Sequence, residues 1–186
     1  MILAIAGGTG SGKTTVSRAM KEKYSTRFNI NVEVISMDNY YKNEKNEVFD
    51  NYDHPKAFDM DLLYSDLSTF LSTGNIARRS YDYVTKESHI VNTQCEIHIL
   101  ILEGLYSFYE ARIRDICSIK LFLDVHKDIR LKRRIKRDLR ERDITLEENM
   151  KMIDNFVNEM HKKYVIQQKT MADKLFTQSE DVLALI

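Results

Sequence analysis

The chain has 186 residues, 43% hydrophobic and 30% charged, and its 28 basic and 28 acidic side chains balance to a formal net charge of zero. That length suits one domain spanning residues 1–186 with a proper core, and the composition excludes a disordered chain. Zero net charge excludes bulk attraction to nucleic acid or to a membrane surface, and no apolar run is long enough to span a bilayer.

The first apolar run, Ile2-Leu3-Ala4-Ile5-Ala6, predicts a short buried strand. It is too short for a signal peptide and leads directly into Gly7-Gly8-Thr9-Gly10-Ser11-Gly12-Lys13-Thr14-Thr15. This is the pattern G-x-x-x-x-G-K-[ST] in its required setting, a strand before it and a helix after it. Its glycines let backbone N–H groups approach phosphate oxygens, and the helix from Thr14 to about Tyr24 points its positive dipole end at the same anion. Lys13 is expected to reach the β- and γ-phosphates of a nucleoside triphosphate, and the Thr14 hydroxyl to ligate Mg²⁺. A plain Gly-rich turn would need neither the lysine nor the threonine.

Val32–Ser36 predicts the second strand, followed by Asp38 in Ser36-Met37-Asp38-Asn39-Tyr40-Tyr41. Asp38 could accept a proton from a substrate hydroxyl or help hold Mg²⁺; alone, an Asp after a strand is more often a cap or turn residue. Asp61 to about Ser72 carries apolar groups at helical spacing, with Gly74 as its C-terminal cap. Residues 76–93 mix aromatic, β-branched and charged side chains and predict an antiparallel excursion from the main sheet. Ile97–Leu102 is nearly all apolar, as a doubly buried parallel strand should be. Glu103 at its tip stands where an acid behind the metal is found in phosphate-loop proteins, or is a solvated loop acid. A helix is expected after it. Ile119–Val125 and Lys174–Phe176 complete the strands. Alternation of strands and helices around such a loop predicts a three-layer α/β domain with a parallel sheet.

The helix from Asp128 to Arg142 is densely basic, and its Leu131, Ile135 and Leu139 recur at a spacing that predicts a docking stripe. Arg130, Arg134 and Arg137 share another face. The cations could form a solvated face, a nucleic-acid patch, or a lid that closes over triphosphate and excludes water; beside a phosphate loop the lid is favoured. A further helix is predicted from Leu146 to about Lys169. Cys95 and Cys117 lie far apart with no C-x-x-C, so neither zinc nor a disulfide is suggested, and reduced buried thiols in a cytoplasmic protein are expected.

In this order, the motifs resemble those of the uridine kinase branch of the uridine kinase and phosphoribulokinase family. The matching stretches are G-G-T-G-S-G-K-T-T, D-N-Y-Y from Asp38, N-Y-D-H-P-K-A-F-D from Asn51, Y-D-Y-V-T from Tyr81, L-E-G at Glu103, and K-L-F-L-D-V from Lys120 with the Arg-rich helix behind it. The resemblance implies a P-loop nucleoside kinase fold with a nucleoside-clamping hairpin and an Arg lid at about 128–145, using ATP and Mg²⁺. It implies Asp38 as the base that activates a ribose 5′-hydroxyl, and Tyr41 lining the nucleoside pocket. Asp53 would hold the ribose hydroxyls and Tyr81 would pack near the base. Arg134, Arg137 and Arg142 would contact phosphates. Asp181 falls where the family places an acid near the donor base. Read as residues alone, Tyr52 and Tyr81 could equally be aromatic core, and Asp53 could cap the turn at His54-Pro55.

Departures from the family pattern lie on the substrate side. Lys86 stands where the family has a histidine that reads the base, and His89 could substitute only with a shifted hairpin register. Ile144 replaces a basic residue in Glu141-Arg142-Asp143-Ile144-Thr145, and Met152 replaces a glutamine. On the intact set Lys13, Thr14, Asp38, Glu103, Arg134 and Arg137, phosphoryl transfer from ATP to uridine or cytidine is the first expectation. Transfer to another nucleoside, a phosphorylated sugar or a pantothenate-like alcohol is the second. A nucleotide-responsive nucleic-acid-binding protein is the third, against which the zero net charge argues. Homo-oligomerisation, feedback regulation and the choice between ATP and GTP stay open.

Overall fold

The computed structural model describes residues 1–43, 51–82, 85–142, 144–178 and 181–182. Its main sheet has five parallel strands in the order β2-β5-β1-β6-β7: β1 Ile2–Gly7, β2 Val32–Ser36, β5 Ile99–Gly104, β6 Ile119–Leu123 and β7 Lys174–Phe176. β3 (Ile76–Asp82) and β4 (Glu87–Gln94) form a separate antiparallel pair, as the mixed composition of that segment predicts. This is the expected α/β architecture of a P-loop kinase.

The pleat sends alternate side chains of β1 to opposite faces, and helices cover both. Ile2, Ala4 and Ala6 join Leu100, Leu102 and Phe122 in one cluster with α2 (Met60–Thr73) and α3 (Ala111–Ile116). Leu3 and Ile5 join Ile101, Leu121 and Leu123 in the other, against Val16 and Met20 of α1 (Lys13–Phe28). β5 begins two residues later than its apolar run. The amides of Ile97 and His98 donate to Gly74 and Asn31 outside the ladder, so the strand extends to include Glu103.

α4 (Lys127–Glu141) corrects a sequence expectation. Its buried residues are Arg130, Arg134 and Asp138, whereas Leu139 is 48% exposed and Leu131 and Ile135 are only half-buried. The helix turns its polar face inward because that face finds polar partners there, and a paired buried charge is tolerated where an unpaired one is not. α5 (Leu146–Met152) opens with a capping box between Thr145 and Glu148. The helix continues through wider π-type turns at Ile153–Val157 and His161–Val165 and ends in 3₁₀ turns at Ile166–Met171. The thiols also differ from expectation: Cys117 is buried, but Cys95 is exposed. Among the described residues, no helix is long and apolar enough to cross a membrane.

Candidate active site

The carboxyl ends of β1, β2 and β5 meet at one point. Ile5 lies opposite Glu103 in the β1–β5 ladder, and Ser36 lies opposite Glu103 in the β2–β5 ladder. The loop after β1 is closed by the Ser11 amide donating to the Gly8 carbonyl at 3.1 Å. Gly10 and Gly12 take left-handed backbone angles (φ 74° and 93°), which a side chain would strain. Lys13 folds back over this loop, its Nζ donating to the carbonyls of Gly7 at 3.0 Å and Gly8 at 3.1 Å. Burial lowers the Lys13 pKa, and the negative charges of Glu103 and Asp38 oppose that effect.

Thr14 Oγ1 donates to Glu103 Oε1 at 3.0 Å. Glu103 is 4% exposed, and burial raises its pKa against the pull of Lys13. Asp38 sits half-buried in a short 3₁₀ turn, Met37–Tyr40, directly after β2. The cap of that turn is Ser36, whose Oγ accepts from the Asp38 amide at 3.3 Å, so the Asp38 carboxylate is not consumed as a cap. Its charge acts on both Lys13 and Glu103. Four residues from three strand ends thus share one electrostatic environment.

This donor set suits Mg²⁺. One hydroxyl and one carboxylate, both oxygen ligands, stand beside a loop built for phosphate. Among the described residues no cluster of three or more His, Cys, Asp or Glu could hold a metal by itself. Mg²⁺ is commonly held by one or two carboxylates and completes its shell with phosphate oxygens and water.

A second group of polar side chains is centred on Asp53. The Asn51 side chain accepts from the Asp53 amide at 3.0 Å, and the Tyr106 hydroxyl donates to the Asp53 carbonyl. The Asp53 carboxylate receives a fork from Arg134, itself 4% exposed, with Nη1 to Oδ1 at 3.1 Å and Nη2 to Oδ2 at 3.4 Å. Arg134, expected at phosphate, is therefore engaged with the residue expected at the ribose. Arg137 donates to Asp138 from Nε and Nη2 at 2.9 and 2.7 Å, and Arg142 Nε approaches the same carboxylate at 3.6 Å. The fully buried Asp138 also accepts from Asn149 at 3.1 Å and so ties α4 to α5.

Beside Asp53 lies an aromatic cluster. Tyr41 stacks on Phe58 with centroids 4.4 Å apart and packs against Tyr52 at 5.6 Å and Tyr81 at 5.3 Å. The β3–β4 pair is anchored over it by Arg79 forking onto Asp66 and by Ser88 Oγ donating to the Asn39 carbonyl at 2.8 Å. Lys86, at φ 57°, holds its Nζ 5.6 Å from the Tyr52 ring centroid. His89 is exposed, and Ser88 rather than His89 lies opposite Tyr81, so the hairpin register does not bring that histidine into the position left by Lys86. Tyr83, Val84 and Asp143 lie outside the described residues.

On the other side of the loop, a cavity of about 760 Å³ is lined by Asp124 to Lys127, Ile129, Arg130, Arg133, His161, Thr177 and Gln178. Asp181 is exposed and does not line it. Arg130 and His161 were not among the expected site residues. The sequence places Arg130 on the helical face it shares with Arg134 and Arg137 but gives it no contact of its own; nothing local marks His161.

The model of the phosphoribulokinase and uridine kinase family matches residues 2–184. The chain belongs to this family. The uridine kinase of Anoxybacillus flavithermus is similar to this kinase at 34% identity over 180 residues, covering 93% of this chain and 83% of the relative. The uridine kinase of Halalkalibacterium halodurans is 36% identical over the same length, with the same coverage. The phosphoribulokinase from Rhodobacter spheroides shares the fold with a TM-score of 0.72 at 17% identity, over 94% of this chain and 69% of that one. With the P-loop fold, these relatives make the protein an enzyme, a small-molecule kinase of the P-loop class.

Proposed function

We propose that this kinase transfers the γ-phosphoryl group of Mg²⁺·ATP to the 5′-hydroxyl of uridine or cytidine. The observation that carries the reading is the convergence of Lys13, Thr14, Asp38 and Glu103 at the ends of β1, β2 and β5. Mg²⁺·ATP, when bound, supplies the transferable phosphoryl group and a cation that neutralises charge on its oxygens. The glycine loop and Lys13 hold the phosphates, exchanging the Lys13 contacts to Gly7 and Gly8 for phosphate oxygens. Thr14 and Glu103 hold the cation. Asp38 accepts the proton of the acceptor hydroxyl. Asp53 fixes the ribose hydroxyls, and Tyr41, Tyr52 and Tyr81 pack the base. Arg137 and Arg142, which the structure gathers at Asp138, meet the developing negative charge and exclude water.

ADP release from purified protein, measured over a panel of acceptors with Asp38→Asn as the blank, tests this. Turnover on uridine or cytidine well above the background without acceptor is expected. Lys86 beside Tyr52 supports a second reading, the same transfer to a different acceptor. An ammonium only donates hydrogen bonds, so it favours an acceptor rich in carbonyl or anionic oxygen. Silence on both pyrimidine nucleosides with turnover on another nucleoside, a sugar phosphate or a pantothenate-like alcohol selects that reading.

A further inference from the structure

Arg130 is a buried cation without a buried counter-charge. It is 4% exposed, and all three of its partners are neutral: Nε donates to the Val125 carbonyl at 2.9 Å, Nη1 to the Thr9 carbonyl at 3.4 Å, and Nη2 to His161 Nε2 at 3.2 Å. Among the described residues no carboxylate forms an ion pair with it. Asp124, the acid whose charge reaches it, is tied to Lys169 at 2.5 Å. Burying a guanidinium in this way is costly unless an anion arrives to compensate it. Arg130 and Arg137 both act on Lys13 as repelling charges, so the loop gathers three cations about the place where phosphate is expected.

The chemistry of His161 follows from that contact. Arginine only donates, so Nε2 must accept. Burial first, and Arg130 second, push the His161 pKa down to about 4, so at neutral pH the ring is uncharged and its single proton sits on Nδ1. His161 opens the second π-type stretch of the C-terminal helix, a kind of distortion frequent at functional sites. The pair also explains Gly8. Its backbone is not left-handed, yet a Cβ there would meet Arg130 Nη1 at 2.4 Å, Cζ at 2.7 Å and His161 Cε1 at 2.9 Å. Gly8 is small because Arg130 and His161 press against it.

We propose that Arg130 and His161 act as one positioning couple for the donor nucleotide. His161 holds the guanidinium against Gly8, and that fixed buried charge raises the affinity of the loop for phosphate. The inference rests on the nucleotide-donor reading above. Neither residue needs to touch the acceptor, so the couple acts on the donor side alone.

Calorimetric titration of the full chain with Mg²⁺·ADP tests it, alongside thermal melts and the KM for the acceptor. His161→Leu removes the hydrogen-bond acceptor and is expected to weaken Mg²⁺·ADP about tenfold while leaving the acceptor KM within about twofold. His161→Gln, whose Oε1 can accept in place of Nε2, is expected to bind within about threefold of wild type. An unchanged Mg²⁺·ADP affinity in His161→Leu overturns the proposal, and so does equal weakening in the Leu and Gln variants. If His161→Leu does not fold, Arg130→Lys decides: it keeps the charge without the fork that makes three fixed contacts, and about tenfold weaker binding is expected. Wild-type affinity in that variant overturns the couple. Wild-type protein that binds no Mg²⁺·ADP overturns the donor reading itself, a result distinct from every variant outcome.

Discussion

Arg134 and Asp53, 81 residues apart in sequence, meet as a buried forked ion pair that joins the Arg-rich helix to the turn before Pro55. Such a pair positions both groups, and losing one partner strands the other in a poor solvent. Arg134→Met is expected to destabilise the fold by about 3 kcal/mol, read as a lower urea midpoint at unchanged slope. In Asp53→Asn the acceptor KM should rise at least about tenfold, with the KM for ATP within about twofold. Equal rises in both would remove Asp53 from the acceptor side.

Asp38→Asn should lower kcat by about 10²–10⁴-fold, the usual contribution of a general base, while calorimetry finds nucleotide affinity nearly intact. Wild-type turnover in this variant would remove Asp38 from the proton-accepting role.

Glu103 carries opposed demands. Burial raises its folded-state pKa above that of the unfolded chain, so the folded protein holds this proton more tightly. The group therefore costs stability progressively as pH rises from the ordinary carboxylate range to the raised folded value, and the cost is constant above it. Glu103→Gln should melt higher than wild type at neutral pH without ligand, and that advantage should shrink as pH falls through this window. The same variant should lose Mg²⁺-supported turnover. A Tm advantage independent of pH would show that ionisation of Glu103 is not its origin.

Lys86 takes a left-handed backbone angle that histidine tolerates better than most residues, so Lys86→His is expected to fold. If the acceptor is a pyrimidine nucleoside, the variant should raise kcat/KM for uridine about tenfold, since a neutral imidazole both donates and accepts. An unchanged or lower value assigns Lys86 to a different acceptor.

The phosphate loop was legible in the sequence because its chemistry is local. A buried apolar run, four glycines, a lysine and a threonine specify strand, turn and helix N-terminus within fifteen residues. The strands β1, β2 and β7, the antiparallel excursion and the existence of each main helix follow from patterns equally short in range. Sequence alone also set Asp38 and Glu103 just at strand ends, where an α/β sheet presents its site.

Tertiary structure decided which distant groups meet. Helical periodicity pointed Leu131, Ile135 and Leu139 inward, but periodicity ranks residues by hydrophobicity and cannot know that Asp53, Asn149 and His161 wait on the other side. Those partners reverse the choice by offering hydrogen bonds and charge to Arg130, Arg134 and Asp138. The strand order, the seat of His161 against Gly8 and the exposure of His89 are likewise non-local. They depend on sheet pairing and on the sum of many burial energies, and no short stretch of the chain contains them.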